Sequence, residues 1–276
     1  MKKNTKKIII GLAILLIILA IFFSRTKLKT LWWEYQKEPT PQAQSFSELS
    51  SPPVPLSTNV EKGKTITPSS PRSGEEGRGD EDVEILDSVN LDIPFQSQAP
   101  NGNWGHPYQE ACEEASIILS VNYLRGGTSI SKDEMNDKIL TLVDWQMQNW
   151  GGHNDLTAEK TVDLIKNFYG DEFQTEIIYD FSWDDVKKAL SQGYPVIAPS
   201  AGRLLGNPYY TAPGPLYHML VIKGYTAKVV ITNDVGTKRG ADYQYSYNTL
   251  YNGIHDWNDG DVNNGQKVII IIKPAL

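Results

Sequence analysis

The chain predicts an α+β domain behind an N-terminal apolar segment and a proline-rich linker. Two observations carry the fold class. Apolar residues recur at helical spacing in successive segments between Ala111 and Gly193, interrupted at Gly151 and Gly170. From Tyr194 onward the pattern changes to short β-branched runs bounded by Gly, Asn and Asp, which is the signature of strands. Helices first and strands second favour α+β over a βαβ alternation. A third observation, the distribution of charge, sets the boundaries. Residues 1–30 hold seven Lys/Arg and no acid, residues 31–88 hold five basic and eleven acidic residues, and residues 89–276 hold fourteen and twenty-two. The last part is long enough for one domain with a sizeable core.

The first part reads as a membrane segment. Lys2, Lys3, Lys6 and Lys7 precede an apolar run from Ile8 to Phe23, and Arg25, Lys27 and Lys29 follow it. The run is slightly short of the ~20 residues of a full span. Ser24 extends it, and flanking lysines can snorkel. It ends in Phe22-Phe23-Ser24-Arg25, with no small-x-small cleavage site. The expectation is an uncleaved signal anchor, a single transmembrane helix within residues 1–30, rather than a removed signal peptide. A lysine-rich N-terminus inside and an acidic domain outside give an extracytoplasmic orientation. Residues 31–88 read as a disordered tether. Seven prolines alternate there with Ser, Thr, Gln and Glu, and large apolar residues are scarce. Trp32, Trp33 and Tyr35 suit the membrane interface before the tether begins.

The domain, residues 89–276, follows in order. The chain becomes ordered near Glu84-Ile85-Leu86 or Leu91-Asp92-Ile93-Pro94-Phe95. A loop of turn formers from Ala99 to Pro107 leads into a helix from Ala111 to Leu124. Ser131-Lys132-Asp133-Glu134 is a capping box that opens a second helix to about Asn149. Leu156–Phe168 is a third helix with Gly170 as its stop. Phe173–Tyr179 is a short strand, and Ser182-Trp183-Asp184-Asp185 caps a helix ending at Gly193. Strands are expected at Tyr194–Pro199, Tyr217–Tyr225, Lys228–Thr232 and Lys267–Lys273. The domain carries a charge near −8 from fourteen basic and twenty-two acidic residues, which argues against nucleic-acid binding.

Chemistry centres on Cys112, the only cysteine. One cysteine excludes an intrachain disulfide framework and a cysteine-rich zinc site. Asp256, Asp259 and Asp261 lack EF-hand spacing, so no metal or cofactor is expected. Cys112 falls in the first turn of a helix, where unpaired N–H groups and the dipole favour a thiolate. Its other reading is a small buried apolar residue. Glu113 and Glu114 oppose a thiolate by like-charge repulsion. If either faces the sulfur, the site needs His218 as imidazolium or is inactive. Of four histidines, His106 and His153 lie in Gly- and Asn-rich loops and His255 in a polar stretch. His218 begins an aliphatic strand, a rigid mount for a general base. If the strands at 217–225 and 228–232 form a hairpin, Asn233 or Asp234 returns beside His218 and fixes its tautomer, completing a nucleophile–base–orienter set.

These residues carry a resemblance. Pro94-Phe95-Gln96-Ser97-Gln98, the helix start Gln109-Glu110-Ala111-Cys112-Glu113-Glu114-Ala115-Ser116, the strand His218-Met219-Leu220-Val221-Ile222-Lys223-Gly224-Tyr225 and Ile231-Thr232-Asn233-Asp234 resemble papain-like cysteine peptidases of the bacteriocin-leader-processing type. They are most similar to the stand-alone peptidase C39-like domains of bacterial surface proteins. The resemblance covers about 89–276. It implies a helical half packed on a C-terminal antiparallel sheet, attack by Cys112, proton shuttling by His218 and orientation by Asp234. It also implies an oxyanion glutamine upstream of the cysteine. Six residues upstream stands His106, so Gln98 is the better match and Gln109 the second. Val235 replaces the proline that often follows the aspartate, which keeps Asn233 open beside Asp234. The expected activity is thiol-based hydrolysis of peptide amide bonds. A cell-wall peptide amidase, or a silent domain that binds peptide or cell wall, are the alternatives. The loop Ala201–Pro215 is a cleft wall or lid, and the polar, aromatic tail at 242–261 either binds substrate or covers the core.

Overall fold

The computed structural model describes residues 14, 27–28, 30–32, 34–50 and 83–275. The expected membrane span, residue 14 apart, and linker residues 51–82 lie outside the described residues. No described helix is long and apolar enough to cross a membrane. The described elements begin with α1 (Phe46–Ser50), β1 (Val89–Asn90), α2 (Cys112–Leu124), α3 (Lys132–Trp150) and α4 (Ala158–Tyr169). There follow β2 (Phe173–Tyr179), α5 (Trp183–Ser191), β3 (Val196–Ser200), α6 (Gly202–Leu205) and β4 (His218–Tyr225). The chain closes with β5 (Val229–Asn233), β6 (Tyr243–Ser246), α7 (Tyr247–Gly253) and β7 (Val268–Pro274).

The strands form one antiparallel sheet in the order β2–β7–β3–β4–β5–β6, with β1 added on β4. Every residue of β4 is buried, as are Val268 to Ile272 of β7. These are the near-continuous apolar runs expected of strands covered on both faces. α2 lies against β4, and Ser116 Oγ donates to Met219 O at 3.3 Å. The helix is buried on nearly all sides, so its apolar residues need no single stripe. Around it, α4 and α5 bury one face each, through Leu164 and Ile165 and through Val186, Ala189 and Leu190.

The element ends follow local chemistry. Ser131 Oγ accepts from Glu134 N, but Glu134 does not return the bond, so only half of the expected capping box forms. Ser182 and Asp185 form the full box. Gly151 ends α3 at φ 73°, the left-handed conformation that glycine adopts at low cost. The β4–β5 hairpin is present, with Val221 opposite Asn233 and a register shift between Ile222 and Gly224.

Residues 34–50 differ from the expected tether. They run as a strap along the domain. Gln44 pairs in parallel with Leu91 through Gln44 N to Asn90 O and Asp92 N to Gln44 O, both 2.8 Å. The Gln244 amide brackets the backbone of Glu38, accepting from its N at 2.8 Å and donating to its O at 2.7 Å. Phe46 meets Tyr123 and Tyr194 with ring centroids 6.3 and 6.2 Å apart. Composition misleads here for a physical reason. The strap's pairing uses the amides of Glu38 and Gln44 and not those that Pro39 and Pro41 lack, and Phe46 and Leu49 supply a small apolar anchor.

Candidate active site

Cys112 sits at the first position of α2, after the 3-10 turn Tyr108–Glu110. Gln98 holds that turn. Its Nε2 donates to Tyr108 O at 2.8 Å and to Gln109 O at 3.1 Å, and its backbone N donates to Val235 O at 3.0 Å. His218 is the first residue of β4 and pairs with Ser200 of β3. Asp234 is one residue beyond β5, so hairpin register returns it beside His218. His218 Nε2 lies 2.9 Å from Asp234 Oδ1. Gln98, Gln109, Cys112 and His218 all line one cleft of about 560 Å³. Tyr209, Tyr210 and Pro215 line it too, so the Ala201–Pro215 loop forms a wall.

The Asp234 carboxylate is fully buried and accepts five hydrogen bonds. Besides His218 these come from Gly236 N at 3.1 Å, Asn207 Nδ2 at 2.8 Å, Tyr210 OH at 2.7 Å and Tyr245 OH at 2.6 Å. Burial raises its pKa, but His218, Tyr245 and Tyr210 outweigh burial and hold it below the usual carboxylate value. An ionised Asp234 places the proton of a neutral His218 on Nε2 and leaves Nδ1 as the lone-pair nitrogen. Asn233 does not share this contact. Its Nδ2 donates to Ile93 O and Pro94 O, both at 3.1 Å. Asn207, Tyr210 and Tyr245 escaped sequence reasoning. Their only signal was an aromatic and amide-rich composition that equally describes core cover.

The thiol departs from expectation. Cys112 Sγ donates to Glu113 Oε2 at 3.0 Å, with both side chains buried. Burial, then the Glu113 charge and its hydrogen bond, hold the thiol well above its ordinary pKa. The helix terminus is therefore overridden. Glu113 is itself pushed well above the carboxylate range by burial and then by Glu114 and Asp155. Its Oε1 accepts from Leu156 N at 2.9 Å. Glu114 turns away from the sulfur toward the Gln146 amide and His153, whose Nε2 is 3.3 Å from Glu114 Oε1. Burial and then Glu110 push Asp155 up to about 7.

Among the described residues, no group of three or more His, Cys, Asp and Glu is arranged to hold a metal. Asp256 instead accepts from Ala158 N at 2.8 Å and Trp257 N at 2.9 Å, and so caps α4. His255 Nδ1 bonds to Gly265 O at 2.7 Å. Trp257 packs on Tyr217, and the tail is used as β6, α7 and core cover.

Residues 90–259 match the Peptidase_C39 like family, and the chain belongs to that family. Its α+β fold with an antiparallel sheet is that of a cysteine peptidase-like domain. Among solved structures, the chain is similar to a candidate C39-like peptidase from Bacillus anthracis. That match has 16% identity and a TM-score of 0.45, and covers 68% of this chain and 99% of the other. The peptidase domain of Streptococcus ComA, a bifunctional ABC transporter involved in quorum sensing, matches at 17% identity with a TM-score of 0.30. It covers 60% of this chain and 93% of the other. No curated protein matches the chain.

Proposed function

We propose that this chain is a membrane-anchored, extracytoplasmic cysteine peptidase that hydrolyses peptide amide bonds with Cys112, His218 and Asp234. The observation that carries the reading is the His218–Asp234 pair, held at 2.9 Å, with His218 lining the same cleft as Cys112. In this mechanism Sγ turns from Glu113 toward His218, and Nδ1 takes its proton. The thiolate attacks the substrate carbonyl, and the oxyanion meets the unpaired backbone N–H of Cys112 at the helix start. His218 returns the proton to the leaving amine, and water then hydrolyses the thioester. Asp234 holds the ring and stabilises the imidazolium. The Gln98 amide is committed to two carbonyls, so its support for the oxyanion requires it to release one. In the resting arrangement it positions the turn that presents Cys112. Glu113 faces the sulfur, so in this reading the thiolate forms against the His218 imidazolium, which offsets the like-charge repulsion.

Residues 1–30 supply the anchor in this reading, and residues 89–276 with the strap form the hydrolase domain. At the start of the strap, Glu34 Oε1 lies 2.7 Å from the hydroxyl of the cleft-wall residue Tyr209. The Cys112–Glu113 bond favours a second reading, a silent peptide-binding domain whose thiol never ionises. Alkylation of the full chain by iodoacetamide across pH separates the two. The peptidase reading expects reaction near neutral pH that slows in His218→Ala. Reaction only above about pH 8.5, the ordinary thiol value, with no effect of His218→Ala, sinks it.

A further inference from the structure

The loop Val235–Gly240 hangs from the residue that orients His218. Asp234 N donates to Gly240 O at 2.9 Å, and Gly236 N donates to Asp234 Oδ1 at 3.1 Å. Both glycines are required by close approach. A Cβ at Gly236 would lie 2.8 Å from His218 Cε1, and one at Gly240 would lie 1.8 Å from Asp234 O. The loop is therefore fixed relative to the imidazole. It carries Lys238 and Arg239, both exposed and both lining the cleft. The Arg239 guanidinium lies over the Tyr209 ring, 5.1 Å from its centroid. Lys238 Nζ reaches across the Ala99–Gly105 loop, where a Cβ on Gly102 would come within 2.7 Å of it.

Two features make this pair unusual in a domain whose charge is near −8. Among the described residues, neither cation forms an ion pair with an Asp or Glu. No Asp or Glu lines the cleft. Glu113, Glu114 and Asp155 belong to the layer beyond the sulfur, outside that lining. Glu34 reaches this wall through the Tyr209 hydroxyl, which Arg239 also meets, yet it forms no ion pair with either cation, and a positive wall in an otherwise acidic protein attracts anions over roughly a Debye length, ~8–10 Å.

We propose that the cleft selects peptides bearing a carboxylate, seated against Lys238 and Arg239, as the substrate class. This rests on the reading of the cleft as the peptide site. The carboxylate comes from an acidic side chain or from a chain end.

The test uses the full chain in detergent with Cys112→Ala, which binds without turnover. Short peptides blocked at both ends carry one Glu at successive positions, each paired with a Gln twin, and a second set has a free C-terminal carboxylate. Calorimetry reads affinity at low and high salt. The expected result is about tenfold tighter binding of the carboxylate peptide in at least one pair, a gap that closes at high salt. The gap vanishes in Lys238→Glu/Arg239→Glu, whose thermal melt should match the parent. A gap seen only with the free C-terminus assigns the carboxylate to a chain end. Equal binding in every pair, or a gap unchanged by charge reversal, overturns the proposal. Hydrolysis of the same peptides by the Cys112 chain is scored separately. Preference without cleavage counts against the peptidase reading and leaves this inference standing. Cleavage without preference does the reverse.

Discussion

Glu113 is the residue on which the reactivity of Cys112 turns. Its carboxylate touches the sulfur at 3.0 Å, and both groups titrate high because burial and neighbouring acids disfavour either anion. Replacing the acid with an uncharged isostere removes the nearest negative charge. Glu113→Gln should lower the apparent thiol pKa by about one unit or more, read from the pH dependence of iodoacetamide alkylation. An unchanged or raised value would show that burial alone sets it. Asp234 matters at the same scale for stability. With five donors aimed at one buried carboxylate, Asp234→Ala leaves them without an acceptor. The expected loss is about 3–5 kcal/mol by denaturant titration. Tyr245→Phe, which removes one donor, should cost about 1–2 kcal/mol.

Elements place these residues. α2 carries the thiol into the core against β4, and the β4–β5 register carries Asp234 to His218. The helix was readable from its apolar spacing and the two strands from their β-branched runs, whereas the register between them was not, and α2 buries Glu113, Glu114, Ser116 and Ser120 beside its apolar residues. The strap was not readable. Its attachment depends on backbone pairing of Gln44 and on the Gln244 amide, and hydrogen bonds of that kind leave no compositional trace. Gln44→Pro removes the donor to Asn90 O and should release this segment. The Asp92 amide, bonded to Gln44 O, should then exchange its hydrogen faster by at least an order of magnitude, equivalent to about 1.4 kcal/mol of local opening. Unchanged exchange would mean that the strap is held elsewhere. In β7, Ile270 is fully buried between β2 and β3, and Ile270→Ala should cost about 2–5 kcal/mol.

Across the whole molecule, opposed carboxyls shape the response to pH. Asp234 titrates low in the folded state. Its contribution is present above the unfolded value near 3.9 and lost as pH falls through the folded one. Asp155 titrates at about 7. Between about pH 4 and 7 the unfolded chain gives up that proton first, so unfolding releases a proton and stability falls as pH rises, levelling above 7. Thermal melts should therefore show a decline from weakly acidic to neutral pH, and Asp155→Asn should flatten it. A decline of unchanged slope in that variant would assign the effect to the other raised groups of the cluster, Glu113 and His153.

By itself the sequence determined the α+β class, the order of the helices from Cys112 to Ser191 and of five strands, and it put forward Cys112, His218 and Asn233 or Asp234 as candidates. Period, caps and turn residues are local, and chemistry-bearing types are few in a chain with one cysteine and four histidines. It left Asn233 and Asp234 undivided, and the register of one hairpin divides them. Only the tertiary structure decided that Glu113 faces the sulfur, that Gln98 spends its amide on the turn before Cys112, and that Asn207, Tyr210 and Tyr245 converge on Asp234. These are contacts between residues distant in sequence, or choices of side-chain direction on a buried helix. They are set by packing, which no periodicity encodes.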